Sequence, residues 1–178
     1  MLLAGVALAR PAAAAIAVSG RVLAPRDAPL PGAQVALLPY PDRYRADLVR
    51  LGLAPPERPA ATDRADDQGA FRLLAPSDGM WRVEASAPGR VAMVHRLPGL
   101  VDNKDLEPVE LPPDAGLSVT VTDAAGRPAA GAWVTGKPAH VATADASGWL
   151  LAERVGTADA DGRIVLARSP EDGLVVTA

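Results

Sequence analysis

In "SGRVLAP" (Ser19 to Pro25) and again in "SVTVTDA" (Ser118 to Ala124), apolar and polar residues alternate. That period of two predicts a strand with one buried face. A turn rich in Pro, Gly and Asp follows each, and then a second strand, in which Ala33, Val35 and Leu37 fall on one face and Gln34 and Ala36 on the other. The blocks "DDQG" (Asp66 to Gly69) and "DADG" (Asp159 to Gly162) lead directly into "AFRLLAP" and "RIVLAR". Asp there predicts side-chain to backbone hydrogen bonds, and Gly69 or Gly162 a positive φ in a tight hairpin turn. Phe71 with Leu73, and Ile164 with Leu166, then point inward. "MWRVEASAPGR" places Trp81, Val83 and Ala85 on one face, and "VAMVHRL" and "LEPVELPP" predict two further strands.

One segment breaks the pattern. In "PDRYRADLVRLGLAPPE", Tyr44, Leu48 and Leu51 have helical spacing, Asp42 is placed to cap, Gly52 to terminate, and Pro55 with Pro56 to prevent continuation. A short amphipathic helix is therefore expected between the second strand and the hairpin.

The blocks recur in the same order. "PLPGAQV" (Pro29 to Val35) returns as "PAAGAWV" (Pro128 to Val134), and "WRVEA" (Trp81 to Ala85) as "LVVTA" (Leu174 to Ala178). One supersecondary unit is thus used twice. The joint falls at "LPPDAG" (Leu111 to Gly116), giving units at 18–112 and 113–178 that are close enough to touch. By this alignment the second unit is incomplete, with Val175 and Val176 on an unpaired edge. Its own insertion, "KPAHVATADASGWLLAERVG", reads as strands or an extended loop.

The order "SGRV…PLPGAQV…TDRADDQGAFRL…WRVEASAPGRV" resembles the carboxypeptidase regulatory-like domain, a transthyretin-like (prealbumin-like) β-sandwich. "VTDAAGRPAAGAWV…TADADGRIVL" is similar to a second, truncated copy. The resemblance implies an all-β fold of tandem transthyretin-like sandwiches, with Ig-like and carbohydrate-binding-like sandwiches as relatives of that architecture. It also implies a non-catalytic accessory module in a secreted or surface-attached bacterial protein, beside peptidase, receptor or adhesin domains. No catalytic residue and no cofactor come with it.

Composition agrees with a thin sandwich. Hydrophobic residues make up 49% of the 178, Ala dominates them, and Phe71 is the only Phe. A net charge of −3 and the lack of any basic stripe speak against a nucleic-acid partner. There is no Cys, hence no disulfide framework and no thiol nucleophile. An apolar run from Leu2 to Ala9, followed by small residues with A-x-A patterns ending at Ala15 or Ala17, resembles a secretory signal over residues 1–17. Arg10 and Pro11 interrupt what a membrane span would require. Export to the periplasm, cell surface or medium is the expectation.

Candidate chemistry is sparse. His95 in a strand and His140 in the second insertion are the only histidines, and Ser147 in "DASGW" lacks the second half of a nucleophile elbow. "TADADG" and "RADDQG", laid on a calcium-loop frame, put Arg168 and Ala75 where a bidentate Glu is needed. No catalytic residue, metal or cofactor is expected. Among the Trp residues, Trp81 reads as core. Trp133, flanked by inward Ala132 and Val134, should turn its ring outward, and Trp149 could accompany it as a face for a glycan. The alternative is that Trp133 packs on the insertion or on the neighbouring unit. Expected partners are other domains of a longer chain, cell-surface proteins or a glycan.

Overall fold

The computed structural model describes residues 15–40, 43–50, 53–138, 148–152, 154–167 and 174–178. Two sheets face each other in its N-terminal part. In the first, β1 (Ile16–Ala24) pairs antiparallel with β2 (Ala28–Pro29) and with β5 (Ala70–Ala75). In the second, β3 (Gln34–Pro39) lies between β4 (Ala61–Arg64) and β6 (Gly79–Ser86), and β6 pairs in turn with β7 (Met93–Leu100). The chain then returns to the first sheet, where β8 (Lys104–Asp105) and β9 (Val109–Glu110) run parallel to β1. The expected strand in "LEPVELPP" is thus only the short β9, and β8 lies wholly before that segment.

Alternation decides what enters the core. Val18, Val22, Val35, Leu37, Leu73, Val83, Ala85 and Leu111 are at most 1% exposed, with Phe71 and Trp81 among them in one cluster. Helix α1 (Arg43–Arg50) stands between β3 and β4. Of the three residues expected on its inner face, Leu48 is half-buried and Tyr44 is 74% exposed, a correction to the sequence reading. Leu51, Asp42 and Gly52 lie outside the described residues.

The C-terminal part repeats this pairing on a smaller scale. There β10 (Leu117–Thr120) pairs with β14 (Arg163–Leu166), while β11 (Trp133–Pro138) lies between β13 (Arg154–Thr157) and β15 (Leu174–Thr177). The registers coincide residue for residue. Val18 opposes Leu73 as Leu117 opposes Leu166; Gln34 opposes Arg64 as Trp133 opposes Thr157; Ala36 opposes Glu84 as Thr135 opposes Thr177.

The turns coincide too. The Asp66 carboxylate accepts from the N–H groups of Gln68 and Ala70 at 2.9 and 2.8 Å, and that of Asp159 from Asp161 and Arg163 at the same distances. These aspartates are spent on their own turns, as the hairpin reading expects. Gly69 and Gly162 have φ of 75° and 73°, and a Cβ on either would run into the carbonyl oxygen of Val22 or Val121. Glycine is required there both by conformation and by space.

Candidate functional site

A fifth strand completes the second N-terminal sheet, and it comes from the far end of the chain. In the second insertion, β12 (Trp149–Leu151) pairs antiparallel with the outer edge of β7, setting Trp149 opposite His95, Leu150 opposite Val94 and Leu151 opposite Met93. The N–H of Ala152 extends the ladder to the Ala92 carbonyl at 3.0 Å. Of the strand or loop readings open for this insertion, strand is what the described residues adopt here.

Trp149 anchors the strand. Its indole N–H donates to the Glu107 carbonyl at 2.9 Å, in the loop between β8 and β9. Its ring meets His95 edge to face, with centroids 5.4 Å apart, and it packs against the main core. Ring and N–H are both engaged within the chain. Aromatic pairs of this geometry are worth about 1 kcal/mol beyond the area they bury.

His95 is 8% exposed and is hydrogen-bonded within the chain. Its Nδ1–H donates to the Arg96 carbonyl at 3.0 Å. Burial holds its pKa below the ordinary 6.5 and outweighs the opposing effect of that hydrogen bond; nearby Lys104 lowers it further and Glu107 raises it. The imidazole therefore serves the strand junction as a neutral packing group. His140 and Ser147 lie outside the described residues.

Trp133 starts β11, half-buried rather than exposed, and its indole N–H is buried without a partner among the described residues. The two Trp residues expected together are thus placed differently, Trp149 opposite His95 of β7 and Trp133 opposite Thr157 of β13. Sequence reasoning missed His95 and the Glu107 carbonyl as partners of Trp149. The short apolar run "WLL" was compatible with a strand, but nothing local indicated which sheet it would join.

The insertion that contains α1 is tied to the sheet by an ion pair, Arg82 Nη2 to Glu57 Oε2 at 3.4 Å. Glu57 Oε1 and Arg82 Nε are buried without partners among the described residues. Arg96 stacks over Tyr40, its guanidinium 5.9 Å from the ring centroid. A cleft of about 530 Å³ lies between Tyr40, Arg45, Pro55, Pro56 and Arg58. Among the described residues no group of three or more His, Asp or Glu is placed to hold a metal ion, and no helix is long and apolar enough to cross a membrane.

No family model matches the chain, and no curated protein matches it. Solved structures similar to it include a streptococcal ancillary pilin, at 14% identity and a TM-score of 0.37, covering 92% of this chain and 59% of that one. The shaft pilin SpaA of Lactobacillus rhamnosus GG is similar at 13% identity and a TM-score of 0.37, covering 92% and 87%. The Bacillus anthracis TIE protein is similar at 12% identity and the same score, covering 92% and 31%. Scores of this size do not amount to a shared fold, and none of these proteins' roles passes to the chain through them.

Proposed function

We propose that this chain is a non-catalytic structural module of an exported bacterial protein, a spacer or docking body in which two tandem β-sandwiches are locked together by strand addition. The observation that carries the reading is the pairing of β12 with β7. Only Ala152 and Glu153 separate Leu151, in the N-terminal sheet, from Arg154, in the C-terminal one. Three peptide steps span at most about 11 Å, so the two sheet pairs cannot part unless β12 leaves its edge. A joint of that kind suits a part that holds its neighbours at a set distance. The imidazole at the joint, His95, is used for packing.

The tandem carboxypeptidase regulatory-like, transthyretin-like reading, with units 18–112 and 113–178, rests on the matching registers and on the glycine turns. Partners are other domains of a longer chain or cell-surface proteins. For the secretory segment, Ile16 is the sharpest guide. It is buried, and it pairs with Ala75 at the start of β1. Of the two cleavage points, the one after Ala15 leaves β1 whole, while the one after Ala17 removes part of the core.

The test is whether the two sheet pairs tumble as one. Residual dipolar couplings from residues 16–111 and 117–178 should fit a single alignment tensor in the wild type and two tensors in Trp149→Ala. Two tensors in the wild type would remove the basis for a rigid spacer.

A further inference from the structure

The two sheet pairs meet through one strand. Among the described residues, β12 is the only element of the C-terminal part that joins an N-terminal sheet. The joint consists of its ladder to β7, the Trp149 indole on the Glu107 carbonyl and the Ala152 N–H on the Ala92 carbonyl. Two short crossings connect the pairs, from Asp114 to Leu117 and from Leu151 to Arg154. Each has three peptide steps, at most about 11 Å.

The first crossing is a tightly closed hinge. Up to Asp114 the chain is tied to the N-terminal pair: the Leu111 N–H donates to the Leu23 carbonyl, the Val91 N–H to that of Pro112 and the Asp114 N–H to that of Gly89, at 2.9, 2.9 and 3.0 Å. From Leu117 onward it belongs to β10. Only Ala115 and Gly116 remain to turn the chain. They do so with Gly116 at a φ of 61° and its N–H bonded to the Asp114 carboxylate at 2.8 Å. A two-residue hinge that turns through a left-handed position has no slack, and hinges of this kind invite exchange of the hinged part between copies.

We propose that two copies of this chain exchange their C-terminal sheet pairs, with β12 of each closing the β7 edge of the other. The joint itself selects a second copy as the partner, because the surface that fits the β7 edge is β12, and every copy carries it. In the exchanged dimer the ring contact of Trp149 with His95, the indole hydrogen bond to Glu107 and the ladder from Leu150 and Leu151 all re-form unchanged. What differs is the hinge. The crossing from Leu151 to Arg154 travels with the exchanged part, so only residues 114–117 change shape. Within one copy two short crossings have to fit at once; in the dimer the first is free to extend. Closure within one copy acts at an effective concentration on the order of millimolar, so the dimer gains ground as the protein approaches that concentration. This exchange rests on the β12–β7 joint of the spacer reading and adds a partner to it.

The test is light scattering of the full chain after size-exclusion chromatography, loaded at about 10 µM to 1 mM. The wild type should pass from monomer toward dimer at the top of that range. In Gly116→Ala the added Cβ meets no obstacle, its nearest neighbour being Val165 Cγ1 at 3.7 Å, so the change acts through backbone conformation. It should raise the dimerisation constant roughly thirtyfold, because two hinges per dimer leave a left-handed position. A Gly-Ser-Gly insertion after Ala115 gives the hinge slack and should keep the chain monomeric. In dimers mixed from differently labelled copies, a nuclear Overhauser contact should link the Trp149 indole of one copy to His95 of the other. A Gly116→Ala variant that stays monomeric at the top of the range overturns the proposal. So does a dimer that persists in Trp149→Ala or forms equally with the lengthened hinge, since its contact would lie elsewhere, such as the outer edge of β15. A monomer whose two sheet pairs share one alignment tensor would sink the exchange alone and leave the spacer reading standing.

Discussion

The two sheet pairs share one wiring diagram and fill it differently. At one cross-strand position the N-terminal pair sets Gly20 against Phe71, and the C-terminal pair sets Val119 against Ile164. A Cβ on Gly20 would lie 2.9 Å from the Phe71 ring, so a large residue is accommodated by an absent one. The C-terminal pair fills the same place with two residues of medium size. Packing constrains the summed volume at such a position more than either identity. Elsewhere the inward letters persist: Ala65 and Ala158 are both 5% exposed, and Val35 and Val134 are 1% and 0%. The outward letters diverge, as Gln34 does from Trp133. The N-terminal pair also has β7, β8 and β9, while among the described residues nothing pairs with β15 except β11. The C-terminal pair leans instead on its neighbour through β12.

The sharpest way to strain this comparison is through the core. Phe71→Ala should cost the N-terminal pair about 3 to 5 kcal/mol in chemical denaturation, and Ile164→Ala, at a half-buried site, about 2 kcal/mol or less. Comparable losses would mean that the C-terminal pair is as well packed as the N-terminal one.

Next come the turns. Gly69→Ala and Gly162→Ala should each lower stability by about 2 to 3 kcal/mol, because both force a side chain into a left-handed turn and against a carbonyl oxygen. A marked difference between them, in the same denaturation assay, would break the equivalence of the two hairpins.

The clasp follows. Limited proteolysis should cut residues 113–178 faster than 18–112, since the smaller pair has fewer paired strands. Trp149→Ala, costing about 2 kcal/mol at this half-buried position, should widen that difference. Equal cleavage rates in wild type and variant would show that β12 contributes nothing to holding the smaller pair.

The smallest expected effect is that of pH. His95 has a folded-state pKa below its unfolded value of 6.5, so the unfolded chain takes up the proton first. Its contribution to stability is complete above about pH 6.5 and is lost as pH falls through the folded pKa. Melting temperatures of the wild type should decline across that window relative to His95→Gln; parallel curves would mean that the imidazole titrates freely in the folded protein.

Much of this architecture was legible in the chain. The recurring blocks aligned β1, β3, β5 and β6 with β10, β11, β14 and β15, because alternation and turn chemistry are local properties and need only neighbouring residues, whereas β4 and β13 were not read as strands. The inward set of Val35, Leu37, Phe71, Leu73 and Val83 was read for the same reason. Misreadings fell where a side chain's environment came from a distant part of the chain. Tyr44 has helical spacing yet is 74% exposed, and nothing local to either residue indicated that His95 would meet Trp149.

The amino-acid sequence by itself determined that the protein is built from strands, where its hairpins turn and which residues face inward, because those outcomes depend on backbone sterics and on a two-residue period. Only the tertiary structure decided that "WLL" would leave its own sheet pair and close the edge of the other. An unpaired strand edge offers hydrogen bonds to whatever segment can reach it, and reach is a matter of three-dimensional proximity, not of local pattern.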